Sequence, residues 1–527
     1  MAEPAVDYPG LGEVGGIWEL VDRRADLTPQ SVMVTDELRR RVTFGEFRDR
    51  ALRAAAGLCD HGVRPGTVVS WQLPSRIDTM VLFAALSRLG AVQNPLIMML
   101  REPELEFICG QLSSRLLVVP ERFRGHDHGK MADAIAAGQD GLTAMLVDGG
   151  LPEGDPATLP PPVPAGDAEA RWIFYTSGTT SRPKGARHTD RGLLAAAMTY
   201  CGAMEPTPED RIASLAPIAH VGGILHVLTS LISGASMIIA DVFEPAAVAE
   251  LLGECGVTIG GSGVPFGRAF LELQRARPDR PLFPEMKAFL VGGSPRPESL
   301  HYQIRDELGG VGLVSGYGLT ECPYIAWGTL HDTDHEHATT EGRPGPGTDL
   351  RVVRGDGTLA DHGETGELRV RAPQLMLGYV DRALDRDAFD EDGYFRTGDL
   401  AFLDERGYVT ITGRLKDVII RKMENISARE VEEHLITHPG VADAAVIGVP
   451  DEEAGERVCA VVVPADPAAP PGLAELCEHA RGRGLNVRRL PERLEIVDEL
   501  PRNAMGKVVK PRLRERFGAA DGPVAGT

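Results

Sequence analysis

The hydrophobic positions of this chain form short apolar runs that alternate with longer segments of helical spacing. The segment 78–90 repeats apolar residues at helical intervals and ends in glycine, which is typical of an amphipathic helix. This alternation predicts layered α/β structure with largely parallel sheets, in which ligands bind beyond the carboxyl ends of the strands. The apolar runs predicted to be buried strands are 67–73, 115–120, 236–240, 288–293 and 311–318.

One apolar segment is long enough to be weighed as a membrane span. Val221 to Ala240 contains no Asp, Glu, Lys or Arg, but Gly222, Gly223 and Gly234 interrupt it. A buried helix, a glycine stop and a buried strand explain this pattern better than a span, because hydropathy is the only support for a span. We therefore expect no membrane partner.

Two further changes of pattern mark the organisation of the chain. Segment 151–170 is rich in proline and predicts a surface loop. From residue 404 the sequence changes to short, charged hairpin material, and a separate small unit of helices and strands follows. The last ten residues, 518–527, are mostly small and are predicted to be disordered.

The composition excludes several classes of function. At 527 residues the chain is too long for one hydrophobic core. Its net charge of −21 argues against a binder of nucleic acid or membrane surfaces, since both need a positive field. The acidic N-terminal sequence is not a secretory signal, and seven cysteines without Cys-x-x-Cys spacing fit a reducing cytosol. We predict a cytoplasmic protein that holds anionic substrates with local donors.

The stretch FYTSGTTSRPKG, residues 174–185, has the composition of a phosphate-binding loop. Backbone N–H groups of a glycine-rich turn approach phosphate oxygens closely, and Lys184, one of seven lysines among 55 basic residues, adds a compact charge. It is not a Walker loop, because Pro183 precedes the lysine and Gly185 follows it. The alternative is an exposed linker. The hydroxyl donors are those of Thr176, Ser177, Thr179 and Thr180.

Further stretches in a fixed order decide between these two interpretations. Together with the loop, they resemble the ordered motif set of the adenylate-forming enzymes, which include acyl-CoA synthetases, firefly luciferases and nonribosomal-peptide adenylation domains. The resemblance extends from about Leu20 to Phe517. The stretches are LAPIAH (215–220), SGYGLTE (315–321), YFRTGDL (394–400), GRLKDVIIRKMENIS (413–427) and LPRNAMGKVVK (500–510).

The resemblance implies both a fold and a reaction. The fold is α/β, with a large N-terminal domain of layered sheets (1–412), a hinge (413–416) and a small mobile C-terminal α+β domain (417–527). The reaction joins a carboxylic acid to ATP as an acyl-adenylate, with loss of pyrophosphate, and then passes the acyl group to a thiol. The implied cofactors are ATP, Mg²⁺ and coenzyme A.

The resemblance also assigns the nucleotide contacts. The loop 176–185 would hold the β- and γ-phosphates, and Tyr317 would present its ring to the adenine. Thr320 would contact the α-phosphate, Glu321 would hold Mg²⁺ as a hard oxygen ligand, and Asp399 and Arg414 would bind the ribose hydroxyls. The implied set is Thr176, Ser177, Gly178, Thr179, Thr180, Lys184, Gly292, Gly293, Ser294, Gly316, Tyr317, Gly318, Thr320, Asp399, Arg414 and Lys507.

Lys507 and His220 complete the implied catalytic set with Thr176 and Glu321. Lys507 matches the lysine that bridges the carboxylate and the α-phosphate, and one positioned cation in a water-excluded site is commonly worth about 3–4 kcal/mol. A solvated tail lysine is the alternative for Lys507. His220 would border the acyl pocket, with a core histidine as the alternative.

Small residues dominate the implied acyl pocket. Gly318 stands where acetate-activating relatives have tryptophan, and Val221 stands where amino-acid-activating relatives have aspartate. Small side chains leave volume and favour a bulky hydrophobic acid, whereas the alternative is that these glycines serve backbone turns. The implied lining is His220, Val221, Gly222, Gly223, Gly261, Ser262 and Gly318.

The chain departs from the family pattern at two places. Ser181 replaces a loop glycine, and at a positive φ serine would cost on the order of 1–2 kcal/mol and weaken adenylation. Lys422 and Met423 stand where relatives commonly have glycines, on a coenzyme A path that also includes Glu424. Lys416 occupies the hinge position.

Several functions fit these observations. The first is an acyl-CoA ligase for a bulky hydrophobic acid. The second is a partial ligase, with weakened adenylation, that thioesterifies an adenylate made by a companion synthetase. The third is a stand-alone enzyme that loads a carrier protein. The partners are then the acid or its adenylate, coenzyme A and, in a homodimer, a second copy, with no nucleic acid. The segment HDTDHEH (331–337) is predicted to be solvated surface and not a metal site.

Overall fold

The structure is a computed structural model that describes residues 8, 11, 14–147, 149–166, 168–176, 182–293, 296–421, 424–451, 454–502 and 508–518. Helices and strands alternate through the first three quarters of the chain, as the hydrophobic pattern predicts. The α-helices are α1 Ile17–Leu27, α2 Phe44–Asp60, α3 Ile77–Leu89, α4 Glu102–Leu112, α5 His128–Ala137, α6 Asp190–Met204, α7 Val221–Ser233, α8 Pro245–Glu254, α9 Val264–Ala276, α10 Ser299–Glu307, α11 Asp334–Thr339, α12 Asp385–Ala388, α13 Ala428–Leu435, α14 Leu473–Gly482 and α15 Lys510–Phe517.

The strands fall into separate sheets along the chain. The first group is β1 Val32–Thr35, β2 Arg41–Thr43, β3 Val68–Trp71, β4 Val92–Pro95, β5 Leu116–Val119, β6 Arg122–Phe123, β7 His126–Asp127, β8 Thr143–Leu146, β9 Trp172–Thr176, β10 Lys184–His188, β11 Arg211–Ser214, β12 Ser236–Ile239, β13 Ile259–Gly261, β14 Ala288–Gly292 and β15 Leu313–Tyr317. The second group is β16 Ala326–Trp327, β17 Arg343–Pro344, β18 Asp349–Val353, β19 Gly366–Arg371, β20 Phe395–Leu403, β21 Val409–Arg414, β22 Val418–Arg421, β23 Glu424–Ser427, β24 Val441–Asp451, β25 Gly455–Pro464 and β26 Arg493–Ile496.

Two large sheets carry the predicted parallel strands. One has the order β17-β16-β15-β14-β13-β11-β12-β1-β2, and its strands from β15 to β1 run parallel. The other has the order β10-β9-β4-β3-β5-β8, and only β10 is antiparallel to its neighbour. The predicted strands 67–73, 115–120, 236–240, 288–293 and 311–318 all fall in these sheets. The prediction of layered, largely parallel α/β structure is therefore confirmed.

The apolar segment at 221–240 is a helix followed by a strand. Helix α7 ends at Gly234, which has a left-handed φ of 81° that glycine adopts without strain, and β12 then begins at Ser236. The side chains of both elements are largely buried. Among the described residues, no helix is long and apolar enough to cross a membrane.

The end of the chain forms smaller antiparallel sheets. Strands β18-β19-β20-β21 form one sheet, which ends at Arg414. After a 3-10 turn at Leu415–Asp417, strands β22 to β26 form a separate sheet with its own hydrophobic core. The predicted hinge at 413–416 falls at this change of sheet, and the domain boundaries stay predictions.

The HDTDHEH segment is not solvated throughout, which corrects the surface prediction. Helix α11 begins in this segment with a capping box between Thr333 and Glu336, and its inner face is buried. His337 is 3% exposed and stacks on His301, with ring centroids 5.3 Å apart. The part of the chain that the structure describes contains no group of three or more His, Cys, Asp or Glu side chains that could hold a metal ion.

Candidate nucleotide and acyl site

The ends of the predicted phosphate loop are held together by a strand pair. Strands β9 and β10 are antiparallel, and Lys184 lies directly opposite Thr176. Both side chains are half-buried. The loop therefore leaves and re-enters one sheet edge, with a hydroxyl and an ammonium group at its base. Ser177, Gly178, Thr179, Thr180 and Ser181 lie outside the described residues.

Tyr379 joins this loop to the predicted magnesium ligand. The Lys184 Nζ atom lies 5.7 Å from the centroid of the Tyr379 ring, and the Tyr379 hydroxyl donates to Glu321 Oε1 at 2.8 Å. Burial and the Glu321 carboxylate raise the pKa of Tyr379, which keeps the phenol protonated as a donor. The sequence analysis missed Tyr379, because its surroundings, LMLGYV, contain no charged residue.

Replacing Tyr379 with phenylalanine is expected to raise the KM for Mg·ATP roughly tenfold, because the partner that orients the predicted metal ligand Glu321 is lost. The measurement is the KM for Mg·ATP in adenylate formation. Tyr408→Phe is the matched control, because that hydroxyl also donates to a carboxylate, Asp332 Oδ1, at 2.9 Å, but in a different part of the fold. Equal effects of the two changes would contradict an orienting role for Tyr379.

A buried histidine holds the backbone next to Glu321. His188 Nε2 lies 2.8 Å from the carbonyl oxygen of Thr320, which can only accept, so Nε2 carries the proton. Burial lowers the pKa of His188 to about 4, and the imidazole is therefore neutral near pH 7. This contact fixes the position of the peptide between Thr320 and Glu321.

The buried imidazole of His188 predicts a loss of stability in acid. Its pKa in the folded chain lies below the value near 6.5 of an exposed histidine, so the unfolded chain binds the proton first and stability falls as the pH drops from about 6.5 towards 4. His188→Gln keeps an N–H donor without a titrating group. Urea midpoints measured at pH 7, 5.5 and 4.5 are expected to fall less steeply in this variant, and parallel curves would exclude the contribution of His188.

The predicted ribose contacts form one hydrogen-bonded group with the predicted adenine contact. Asp399 and Arg414 lie opposite each other on β20 and β21, with Arg414 Nε 2.6 Å from Asp399 Oδ1. The Tyr317 hydroxyl donates to Asp399 Oδ2 at 2.7 Å. Asp399 is 2% exposed, so its charge is held inside the protein by these two partners. Burial and the Asp399 charge raise the pKa of Tyr317, which therefore stays protonated.

The glycines beneath this group are needed for close strand packing. Gly292 and Gly316 are neighbours on the parallel strands β14 and β15. A Cβ atom on Gly292 would lie 3.0 Å from the Gly316 carbonyl oxygen, and one on Gly316 would overlap the Trp327 ring. Gly293 has a φ of 75°. Ser294 lies outside the described residues.

His220 has a structural role at the start of α7. Its Nδ1 accepts a hydrogen bond from the Gly222 N–H at 3.2 Å, which caps the first turn of the helix. The ring is half-buried. The cap fixes the tautomer, so that Nε2 carries the proton when the ring is neutral.

The predicted acyl-pocket glycines owe their identity mainly to the backbone. A Cβ atom on Gly223 would overlap the Pro217 carbonyl oxygen, and one on Gly261, whose φ is 95°, would overlap that of Leu290. A Cβ atom on Gly318 would lie 2.5 Å from the Tyr324 nitrogen. These distances support the alternative of backbone approach and not that of pocket volume.

The other predicted pocket residues lie around the start of α7. Gly222 could carry a side chain without a backbone clash, since the nearest atom to an added Cβ atom is His220 Nδ1 at 3.4 Å. Val221 is buried, and the Ser262 hydroxyl accepts a hydrogen bond from the Leu215 N–H at 3.3 Å.

The predicted hinge and coenzyme A positions lie at the start of the sheet formed by β22 to β26. Lys416 is in the 3-10 turn after β21, and burial, together with the neighbouring Arg414, lowers its pKa. Arg514 Nη2 lies 2.8 Å from Asp417 Oδ1, so α15 returns to the hinge segment. Glu424 lies near Arg489, with Oε1 3.7 Å from Nε. The remaining predicted residues of this group, Lys422, Met423 and Lys507, lie outside the described residues.

Comparison with known proteins supplies the family. The family model described as AMP-binding enzyme matches residues 21–380, and that of the AMP-binding enzyme C-terminal domain matches residues 430–507. The chain belongs to the AMP-binding enzyme family. This AMP-binding enzyme is 30% identical over 522 residues to a medium-chain fatty-acid–CoA ligase of Escherichia coli, covering 96% of this chain and 90% of the relative.

Two further matches agree with this assignment. A feruloyl-CoA synthase of Amycolatopsis is 34% identical over 509 residues, covering 95% of this chain and 99% of the relative. The crystal structure of ATP-bound MatB from Rhodopseudomonas palustris superposes with a TM-score of 0.85 at 28% identity, covering 95% and 99% of the two chains. The fold is therefore that of the adenylate-forming enzymes, and this AMP-binding enzyme is an AMP-forming acid–thiol ligase.

Proposed function

We propose that this enzyme activates a hydrophobic carboxylic acid with ATP and transfers the acyl group from the adenylate to coenzyme A. The observation that carries the proposal is that segment 317–321 connects two groups of predicted nucleotide contacts. One group would bind the ribose, and the other would bind the phosphates and Mg²⁺. At one end, Tyr317 binds the Asp399–Arg414 pair. At the other end, Glu321 accepts from Tyr379, whose ring lies below Lys184.

Each of these groups has a defined task in the proposal. Asp399 accepts hydrogen bonds from the ribose hydroxyls with its remaining lone pairs, and Arg414 holds that carboxylate in place. Lys184 donates to the terminal phosphates from the base of the loop. Lys507 places its ammonium group between the substrate carboxylate and the α-phosphate, where negative charge increases in the transition state.

The described residues fit a magnesium ion that binds together with ATP. Glu321 supplies one carboxylate, oriented by Tyr379, and Mg²⁺ in nucleotide sites usually takes one or two carboxylates with phosphate oxygens and water. A bound Mg²⁺ would neutralise charge on the phosphate oxygens.

The alternative functions differ from the proposed one in the substrate that is supplied or in the thiol that accepts the acyl group. The apolar Val221, which follows His220 at the start of α7, supports a hydrophobic acyl group. A partial ligase supplied by a companion synthetase is favoured only by Ser181 and Met423. Loading of a carrier protein replaces coenzyme A by a protein-bound thiol. The seven free cysteines fit the proposed cytoplasmic location, and a homodimer remains part of the proposal.

Two parallel assays test the proposal. One contains a panel of hydrophobic acids with ATP, Mg²⁺ and coenzyme A, and the other contains the pre-made acyl-adenylates with coenzyme A. We expect thioester by mass spectrometry in both. Thioester only from the adenylates would favour the partial ligase, and adenylate without thioester in the first assay would favour transfer to a carrier protein.

A further inference from the structure

A group of four ring side chains lies behind the proposed acyl site, and we call Tyr200, His226, Tyr324 and Trp327 the aromatic cluster. The centroid of the Tyr200 ring is 5.9 Å from those of His226 and Tyr324 and 5.3 Å from that of Trp327. The Tyr324 and Trp327 centroids are 4.5 Å apart. Members from α6, α7, the β15–β16 connection and β16 therefore meet in one place.

The aromatic cluster adjoins the proposed site from two sides. The Tyr324 backbone lies against Gly318, and the Trp327 ring lies against Gly316. On α7, His226 lies one turn beyond Gly222 and on the same face. His226 lies six positions after His220, which corresponds to about 9 Å along the helix axis. The cluster is thus positioned for the end of the acyl group that is farthest from the carboxylate.

Two polar atoms of the aromatic cluster are buried without a hydrogen-bond partner among the described residues. They are the Tyr200 hydroxyl and Trp327 Nε1, on residues that are 0% and 7% exposed. Buried tyrosine and tryptophan side chains usually have a partner for these groups, so two unpaired donors in one cluster require an explanation. His226 is also polar: its Nδ1 lies 3.1 Å from the Ser214 hydroxyl, and burial lowers the pKa of the ring to about 4.

Tyr324 packs directly against one of these donor residues, Tyr200. It is the half-buried member of the aromatic cluster, and its ring stacks on that of Tyr200. Its φ is 51°, in the left-handed region that bulky residues rarely adopt. Strained backbone of this kind persists where the surrounding structure imposes it, and such residues concentrate at ligand sites. Tyr324 is therefore the most exposed ring of the aromatic cluster, and it covers one face of the Tyr200 ring.

We propose that the aromatic cluster recognises an oxygen atom at the far end of the acyl group. A hydroxyl or carbonyl oxygen there accepts hydrogen bonds from the Tyr200 hydroxyl and Trp327 Nε1 after the Tyr324 ring turns aside. The substrate class is then a carboxylic acid with an apolar middle and an oxygenated end. This inference rests on the proposed function and narrows its substrate. A site with buried donors discriminates against the acid that lacks the oxygen, because its donors then stay unpaired.

Matched pairs of acids test the inference. The pairs are 3-(4-hydroxyphenyl)propanoic with 3-phenylpropanoic acid, and 7-oxooctanoic with octanoic acid. The readout is kcat/KM for thioester formation with ATP and coenzyme A. We expect a preference of roughly 10- to 100-fold for the oxygenated member of at least one pair. Product formation at equal kcat/KM within both pairs would overturn the inference and leave the proposed function intact, whereas no product from any acid would overturn both.

Variants show whether the aromatic cluster causes the preference. Tyr200→Phe and Trp327→Phe each remove one donor, and each is expected to reduce the ratio of kcat/KM between the two members of a pair by about tenfold. The ratio is measured within one variant, so partial loss of active protein does not affect it. Tyr408→Phe, which removes a tyrosine hydroxyl elsewhere, is expected to leave the ratio unchanged. A preference that survives both Tyr200→Phe and Trp327→Phe would overturn the inference.

Discussion

Glu341→Ala is expected to lower the free energy of unfolding by about 3–5 kcal/mol, because it leaves a buried guanidinium without its counter-charge. Arg296 Nη1 lies 2.8 Å from Glu341 Oε1, and the two side chains are 3% and 11% exposed. Burial alone would raise the pKa of Glu341, but the Arg296 charge holds it below the ordinary value, so the pair is ionised. The Ser315 hydroxyl also donates to Glu341.

The measurement is urea unfolding of the wild type and the variant at pH 7. Glu254→Ala is the control, because it removes an ion pair to Arg39 whose side chains are 45% and 51% exposed, and we expect less than about 1 kcal/mol from it. The double variant Arg296→Leu with Glu341→Leu is expected to recover most of the loss, since no buried charge is left unpaired. A loss in Glu341→Ala no larger than in the control would contradict this account.

This ion pair also connects β15 with α13. Glu341 is linked through Ser315 to β15, which carries Gly316 and Tyr317. Arg429, on α13, has its Nη2 atom 3.9 Å from Glu341 Oε1. The substitution therefore removes a charge that both parts of the chain contact.

Lys507→Ala is expected to reduce adenylate formation about 100- to 1,000-fold, because a positioned charge at the developing negative charge of the transition state is lost. Thioester formation from pre-made acyl-adenylate is expected to stay within a few-fold of the wild type, since the acid and the α-phosphate are then already joined. The measurement is the single-turnover rate of each half-reaction.

Lys130→Ala is the control for the loss of a lysine side chain, because Lys130 is an exposed lysine at the start of α5. It is expected to leave both rates unchanged. Equal losses in both half-reactions of Lys507→Ala would indicate a general role in folding or binding. A loss confined to thioester formation would exclude the proposed role in adenylation.

Much of the fold follows from the sequence because its signals are local. Alternating apolar runs and helical segments predicted the parallel sheets, since a strand buried on both faces has to be apolar throughout. Gly234 marked the end of α7, because a helix commonly ends at a glycine with a left-handed φ. The HDTDHEH segment misled the prediction, because burial of His337 depends on His301, which is distant in sequence.

The candidate site also combines features that follow from the sequence with features that depend on the tertiary structure. The sequence by itself determined which chemical groups are present: a hydroxyl-rich loop with Lys184, the carboxylates of Glu321 and Asp399, and Arg414. Their residue types and order were sufficient, because phosphate, ribose and metal each require particular donors and acceptors.

Only the tertiary structure decided how these groups are held. Tyr379 contacts Glu321 across 58 positions of sequence, Tyr317 contacts Asp399 across 82, and His188 contacts Thr320 across 132. The structure also showed that Gly223, Gly261 and Gly318 serve backbone contacts, and it revealed the unpaired donors of Tyr200 and Trp327. The physical reason is that hydrogen bonding and burial depend on distances in space between residues that are far apart in the sequence. A local pattern of residues does not encode these distances.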